Sequence, residues 1–215
     1  KKADAKVMAG GQTLLATMKL RLANPSDVID LANVPGLSGI RIDGNNVVIG
    51  AMTRHAEVAW SKEVAAAIPA LAQLAGGIGD RMVRNMGTIG GSIANNDPAA
   101  DYPAAVVALG ATITTNKRTI AADDFFKGMF STALGADELI TSVSFPKPKR
   151  AAYMKFKNPA SRYALVGVFV ADTAGGARVA VTGAGPCVFR VPEMEKALGA
   201  KWAADAVANI KISAN

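Results

Sequence analysis

The sequence predicts an α+β fold, with a helix-and-strand N-terminal lobe, a central sheet lobe and a small C-terminal lobe. Three observations carry this. Strand-like apolar runs and alternating hairpin patterns are mixed with segments of helical spacing. Glycine or proline punctuates most boundaries between them. The first glycine turn, "AGGQT" (9–13), lacks the third glycine of a dinucleotide fingerprint, and no βαβ unit with a suitably placed acidic residue follows it.

Taken in order, "AKVMA" (5–9) reads as a short buried strand stopped by Gly10 and Gly11. Leu14, Leu15, Met18 and Leu22 recur at helical spacing behind Thr13 as N-cap, and Pro25 ends that helix. "DVIDL" (27–31) is a second strand, and "GIRIDGNNVVIG" (39–50) is a hairpin turning around Asp43, Gly44, Asn45 and Asn46. Thr53 is placed to cap a helix through Val58 and Trp60, with Glu57 near its positive end. Pro69 opens another helix, closed by Gly76 and Gly77. "PAAVVALG" (103–110) is a short apolar helix, and "ATITTNKRTI" (111–120) is a hairpin turning at Asn116 and Lys117. Asp123 or Asp124 caps a turn before Phe125 and Phe126, and "ELITSVSF" (138–145) is a strand. "PKPKR" (146–150), charged and free of apolar side chains, is the best boundary. Beyond it "YALVGVFVAD" and "ARVAVTG" pair across residues 173–176, and "VPEMEKALG" forms a helix with Pro192 in its first turn.

Composition bounds the function. A chain of 215 residues that is 50% hydrophobic and 19% charged can build a real core, divided into two or three small domains. No apolar run approaches the roughly 18 residues of a membrane span. The chain begins without Met and enters a strand at once, so a front piece is expected to precede it. One cysteine, Cys187, and one histidine, His55, cannot make a zinc site, an iron–sulfur cluster or an internal disulfide. Any metal chemistry would then belong to a partner, and a reducing cytoplasm is the natural location. The net charge of +7 is scattered, and aromatics make up only 6%, too few for a nucleic-acid stacking platform. His55, at a helix start, is expected to face solvent or a neighbouring loop, and Cys187 to be a small buried hydrophobe.

The most informative stretch is "GTIGGSIANNDPAADYPA" (87–104), read as a long irregular loop and therefore as a binding surface. It contains a second glycine turn, "TIGGS" (88–92). Backbone N–H groups reach a diphosphate only where no Cβ blocks the approach, and a helix start behind the first turn adds a favourable dipole. Two such turns on opposite lobes could clamp one diphosphate.

"AGGQTLLATMKLRLANP" and "VRNMGTIGGSIANNDPAADYPAAVVALGATI" resemble the FAD-binding medium subunit of the molybdenum hydroxylases, the flavoprotein subunit of carbon monoxide dehydrogenase and xanthine dehydrogenase type. "NPASRYALVGVFVA" and "VTGAGPCVFR" are similar to its C-terminal domain. The resemblance implies a PCMH-type FAD-binding fold shared with vanillyl-alcohol oxidase: a small α/β lobe (1–52), a larger sheet-and-helix lobe (53–146), and a small C-terminal α+β flavoprotein domain (151–215) whose last helices are expected to be missing. It implies that Lys6, Val7, Met8, Ala9, Gly10, Gly11, Gln12, Thr13 and Leu14 wrap the adenosine diphosphate part of FAD. Thr88, Ile89, Gly90, Gly91 and Ser92 close the second side. Asn95, Asp97 and Asp101 take the hydroxyls of the ribityl chain and ribose, as acceptor groups can. The alternatives are a turn for Asp97, an N-cap for Asp101 and left-handed backbone for Asn95 and Asn96. Leu139 or Ile140 either touches the isoalloxazine or is ordinary strand core, and Tyr163 either covers a ring face or lies in the core. Leu165 stands where the xanthine dehydrogenase branch has a flavin-contacting lysine, which argues against a simple copy of that branch.

The function so implied is electron transfer. Molybdenum cofactor resides on a large partner subunit and iron–sulfur clusters on a small one. FAD here passes electrons to an external acceptor such as quinone, NAD or dioxygen, in a dimer of heterotrimers in the cytoplasm or at the inner face of the membrane. No residue of this chain is expected to be catalytic or to ligate metal. The alternatives are a stand-alone PCMH-type flavin oxidoreductase and a non-catalytic nucleotide-binding assembly module.

Overall fold

The computed structural model describes residues 4–212. Strand β1 (Lys6–Met8) leads through a glycine bend into helix α1 (Leu14–Lys19), and β2 (Val28–Asp30) returns beside β1 in parallel, Val7 opposite Ile29. The expected cap is incomplete: Thr13 stands at the N-cap position without a side-chain cap bond. Nor is β1 buried. No residue from 4 to 46 is, and Val7, Leu15, Leu20, Leu22 and Ile29 are exposed.

Strands β3 (Ile40–Asp43) and β4 (Asn46–Gly50) form the expected hairpin. Six helices follow: α2 (His55–Trp60), α3 (Lys62–Ala67), α4 (Pro69–Gly76), α5 (Arg81–Met86), α6 (Ile89–Asn95) and α7 (Tyr102–Ala108). Thr53 does not cap α2. Arg54 holds that position and its amide donates to the Glu57 carboxylate, while the Thr53 hydroxyl is exchanged with the backbone of Gly39. Nor is 87–104 a continuous loop. Thr88 caps α6 by accepting from the Gly91 amide, and Ile89 and Ile93 bury the helix's inner face, so two glycines sit inside a helix.

Hairpin β5 (Thr112–Thr115) and β6 (Thr119–Ala121) is followed by α8 (Ala122–Phe125), β7 (Phe126–Gly128), β8 (Ser131–Thr132) and β9 (Ile140–Pro146). Asp123 and Asp124 lie inside the first turn of α8 rather than capping it, and Asp123 pairs with Arg178 and Arg190. The five-stranded sheet has the order β3-β4-β9-β5-β6. It crosses the division expected after residue 52, because β4 pairs along its length with β9, Val47 opposite Phe145.

"PKPKR" is a corner, not a linker. The Lys147 and Lys149 amides donate to Asn45 and Asp172 carbonyls, and the chain turns directly into β10 (Arg150–Lys157), a strand the sequence reading omits. Strands β11 (Ala164–Thr173), β12 (Gly176–Thr182) and β13 (Phe189–Arg190) complete an antiparallel sheet, covered on one face by α9 (Pro192–Ala200). Its other face shares one core with the helices, Tyr153 and Phe169 packing in the same cluster as Leu71 and Tyr102. Arg178 fastens the two by donating to the Val107 carbonyl at the end of α7. Cys187 is half-buried.

Candidate functional site

A cavity of about 850 Å³ opens between the β1–α1 bend, the start of α6, the turn before α5, the start of β9 and the loop before β11. That volume falls within the roughly 300–1,000 Å³ typical of cofactor and ligand sites. Every sequence-predicted site residue lines it except Ile89. Ile89 is fully buried in the core, and its amide donates to the Thr53 carbonyl.

The two glycine bends face each other, but they are not equivalent. In the first, Gly11 has φ +70°, and a Cβ on Gly10 would lie 2.1 Å from the Met86 carbonyl oxygen. Only glycine lets this bend lie against the end of α5. Among the described residues, the amides of Gly10, Gly11, Gln12 and Thr13 donate to no protein acceptor. In the second bend the amides are already used: Ile89 donates to Thr53, Gly90 to Ala51, and Gly91 to the Thr88 hydroxyl. The second side therefore contributes close approach and side chains rather than free amides. A Cβ on Gly91 would stand 3.3 Å from the Ala9 Cβ, so the bends touch.

Around them the wall is mixed. Asp97 accepts from the Ala99 amide in an Asx turn while lining the cavity. Asp101 is buried at the N-cap position of α7 but makes no cap bond. It accepts instead from the Tyr153 hydroxyl at 2.5 Å and from the Lys155 ammonium, which also donates to Gly77. Burial raises its carboxyl above the ordinary range, against the opposing pull of Lys155 and Tyr153. Asp101 is thus a junction between α7 and β10 that reaches the cavity. Asn95 lines the wall; Asn96, left-handed and fully buried, instead holds the β7–β8 turn through Gly128 and Ser131.

Leu139 and Ile140 both line the cavity, Ile140 from within the core. Tyr163 is not a core tyrosine: it is 49% exposed at the rim, and burial together with Asp97 and Asp101 raises its hydroxyl pKa. Glu138 accepts from Arg118, Thr115 and the Gly135 amide, and these bonds, Arg118 foremost, hold its carboxyl down at about 2.

Several lining residues escape the sequence reading. Asp80 caps α5 through the Val83 amide beside Gly79, a pattern visible in "GDRMV". Arg162 comes from the loop that Asn158 organises, and its φ of +62° gives no sequence cue. His55 is neither solvent-facing nor idle. It is 5% exposed in the cavity floor, and burial with Arg84 nearby lowers its imidazole to about 4. Among the described residues no group of three His, Cys, Asp or Glu side chains could hold a metal, and no helix is long and apolar enough to cross a membrane.

Unpartnered amides in a glycine bend, polar acceptors along one wall and apolar side chains along the other suit a nucleotide-diphosphate cofactor with a flat ring system. The comparisons identify which. Residues 1–148 match the model of the FAD-binding domain in molybdopterin dehydrogenase. The nicotine 6-hydroxylase medium subunit of Paenarthrobacter nicotinovorans is 41% identical over 91% of this chain and 72% of its own length. The carbon monoxide dehydrogenase medium chain of Hydrogenophaga pseudoflava is 39% identical, covering 87% of this chain and 69% of that one. A solved carbon monoxide dehydrogenase from the same organism superposes with a TM-score of 0.89 at 39% identity, over 95% of this chain and 76% of the other. The chain belongs to the family of FAD-binding domains of the molybdopterin dehydrogenases, and the family's cofactor is FAD.

Proposed function

We propose that this chain is the FAD-carrying electron-transfer subunit of a multi-subunit molybdenum hydroxylase. Its partners would be a large subunit with the molybdenum cofactor and a small iron–sulfur subunit, by likeness to relatives named as medium chains. The observation that carries the reading is the meeting of the unpartnered Gly10–Thr13 amides with the Thr88–Ser92 bend across one cavity.

In this reading each residue has a physical task. The four free amides take the diphosphate, where their alternative is water alone. Asn95 and Asp97 take sugar or ribityl hydroxyls, and Asp101 reaches them from its Lys155 pair. Leu134, Leu139 and Ile140 give the ring system an apolar wall, and Tyr163 sits at the rim. FAD supplies the redox chemistry when bound, so the protein's part is grip, orientation and exclusion of water. Electrons leave to quinone, NAD or dioxygen, and the assembly is a dimer of heterotrimers in the cytoplasm.

Purified protein should show flavin absorption bands and release FAD, not FMN, on denaturation. It should co-purify with a molybdenum chain and a cysteine-rich iron–sulfur chain. A colourless chain that cannot be reconstituted with FAD contradicts the flavin reading. Turnover of a small substrate by the isolated flavoprotein would point to a stand-alone oxidoreductase instead.

A further inference from the structure

His55 lies at the centre of a stack that no motif announces. The first bend rests on the end of α5: a Cβ on Gly10 would fall 2.8 Å from the Gly87 Cα. Gly87 in turn rests on the imidazole, since a Cβ there would fall 2.6 Å from His55 Nε2 and 2.9 Å from its Cδ2. The His55 amide donates to the Gly87 carbonyl at 2.9 Å, which fixes the backbone on which the ring stands. Behind it lies Tyr102, fully buried at the start of α7, with ring centroids 5.3 Å apart and planes tilted by 52°. Along the chain of contacts the order is Gly10, Gly87, His55, Tyr102, with Gly10 and His55 both lining the cavity. The next residue after Gly87 is Thr88, which caps α6 and begins the second bend.

We infer that His55 is a positioning residue for the cofactor diphosphate: its imidazole supports Gly87, the backbone against which the Gly10–Thr13 bend rests and from which the Thr88–Ser92 bend starts. The inference rests on the diphosphate reading above. Packed interiors transmit small changes in volume because they leave few voids, so a change in the ring moves the Gly87 backbone that stands on it. Neither His55 Nδ1 nor the Tyr102 hydroxyl finds a protein partner among the described residues. The imidazole is also uncharged at neutral pH, because burial and Arg84 disfavour the imidazolium.

The test is titration of the purified, FAD-stripped chain with FAD, ADP and riboflavin, alongside melting temperatures. His55→Ala should weaken FAD and ADP by the same factor, tenfold or more, and leave riboflavin unchanged. His55→Gln should recover binding to within about threefold of the unsubstituted chain, as expected where volume is largely kept. Gly87→Ala should weaken FAD and ADP alone, yet restore part of the loss in the His55→Ala background, where its methyl enters the vacated space. Unchanged FAD and ADP binding in His55→Ala overturns the inference, as does an equal loss for all three ligands with a lowered melting temperature. Should His55→Ala fail to fold, Gly87→Ala with normal FAD and ADP binding overturns it. Absence of FAD and ADP binding by the unsubstituted chain would instead remove the diphosphate reading itself.

Discussion

The bend at Gly10–Thr13 and the bend at Thr88–Ser92 face the same cavity but are built on opposite plans. The first hangs on a two-stranded parallel sheet of three-residue strands, in a stretch where nothing from 4 to 46 is buried. Its amides have no protein acceptor among the described residues. The second lies on helix α6, whose inner side chains Ile89 and Ile93 are fully buried and whose leading amides are bound to Thr53, Ala51 and Thr88. One side is ready to be organised by a ligand, and the other is organised before the ligand arrives. A site of this kind combines a fixed wall with a responsive one, because local stability follows buried contacts and internal hydrogen bonds.

The widest difference between the two sides should appear in acid. His55, behind the second bend, titrates at about 4 when folded against 6.5 as a free side chain. A lowered folded value means that its contribution is complete above pH 6.5 and declines as pH falls toward 4. The shift corresponds to a loss of up to about 3 kcal/mol. Chemical denaturation between pH 7 and 4 should show this decline in the unsubstituted chain and a flatter one in His55→Gln. Glu138, held down at about 2 from 4.5, has the same sign and acts in a lower window, between pH 4.5 and 2. That lower limb should survive in His55→Gln and weaken in Glu138→Gln.

Next in size are paired glycine substitutions. A Cβ on Gly90 would stand 2.6 Å from the Ala51 Cβ and 2.7 Å from its carbonyl oxygen, inside the fixed wall. Gly90→Ala should therefore lose about 2 kcal/mol of stability, read from denaturant midpoints. Gly10→Ala meets the Met86 carbonyl oxygen more closely still, at 2.1 Å, but on the side without a core. It should cost less stability than Gly90→Ala, because this bend can shift without disturbing a core, and still lower FAD affinity tenfold or more. Equal stability losses in the two variants would erase the distinction drawn here. The smallest effect is the cap: Thr88→Ala should cost about 1 kcal/mol through the freed Gly91 amide.

What the sequence conveys about this site follows the same division. Hairpins with Asn and Gly turns and the proline-opened helices are local features, and they stand where residue chemistry puts them. Helix α6 was obscured by Gly90 and Gly91, which read as loop residues. Yet Ile89 and Ile93 stand at helical spacing behind the Thr88 cap, and tertiary packing against Ala51 overrides the glycines' propensity. Strand β10 was hidden because Lys155 occupies an inward position, which only the distant Asp101 makes tolerable. The same long-range pairing turned Asp101 from a cap into a junction. His55 was misplaced for a related reason: a lone histidine shows its burial only when the residues packed over it, Gly87 and Tyr102, are known. Propensity and spacing report on neighbours along the chain, while these four features depend on neighbours across it.

Hydrogen exchange at the Gly10–Thr13 amides, with and without ligand, tests the central claim most directly. The account predicts rapid exchange in the FAD-free chain, strong slowing with FAD and with ADP, and no slowing with riboflavin, which has no phosphate, while amides 89–93 stay protected throughout. Slowing by FAD that falls on 89–93 and leaves 10–13 unchanged would contradict it.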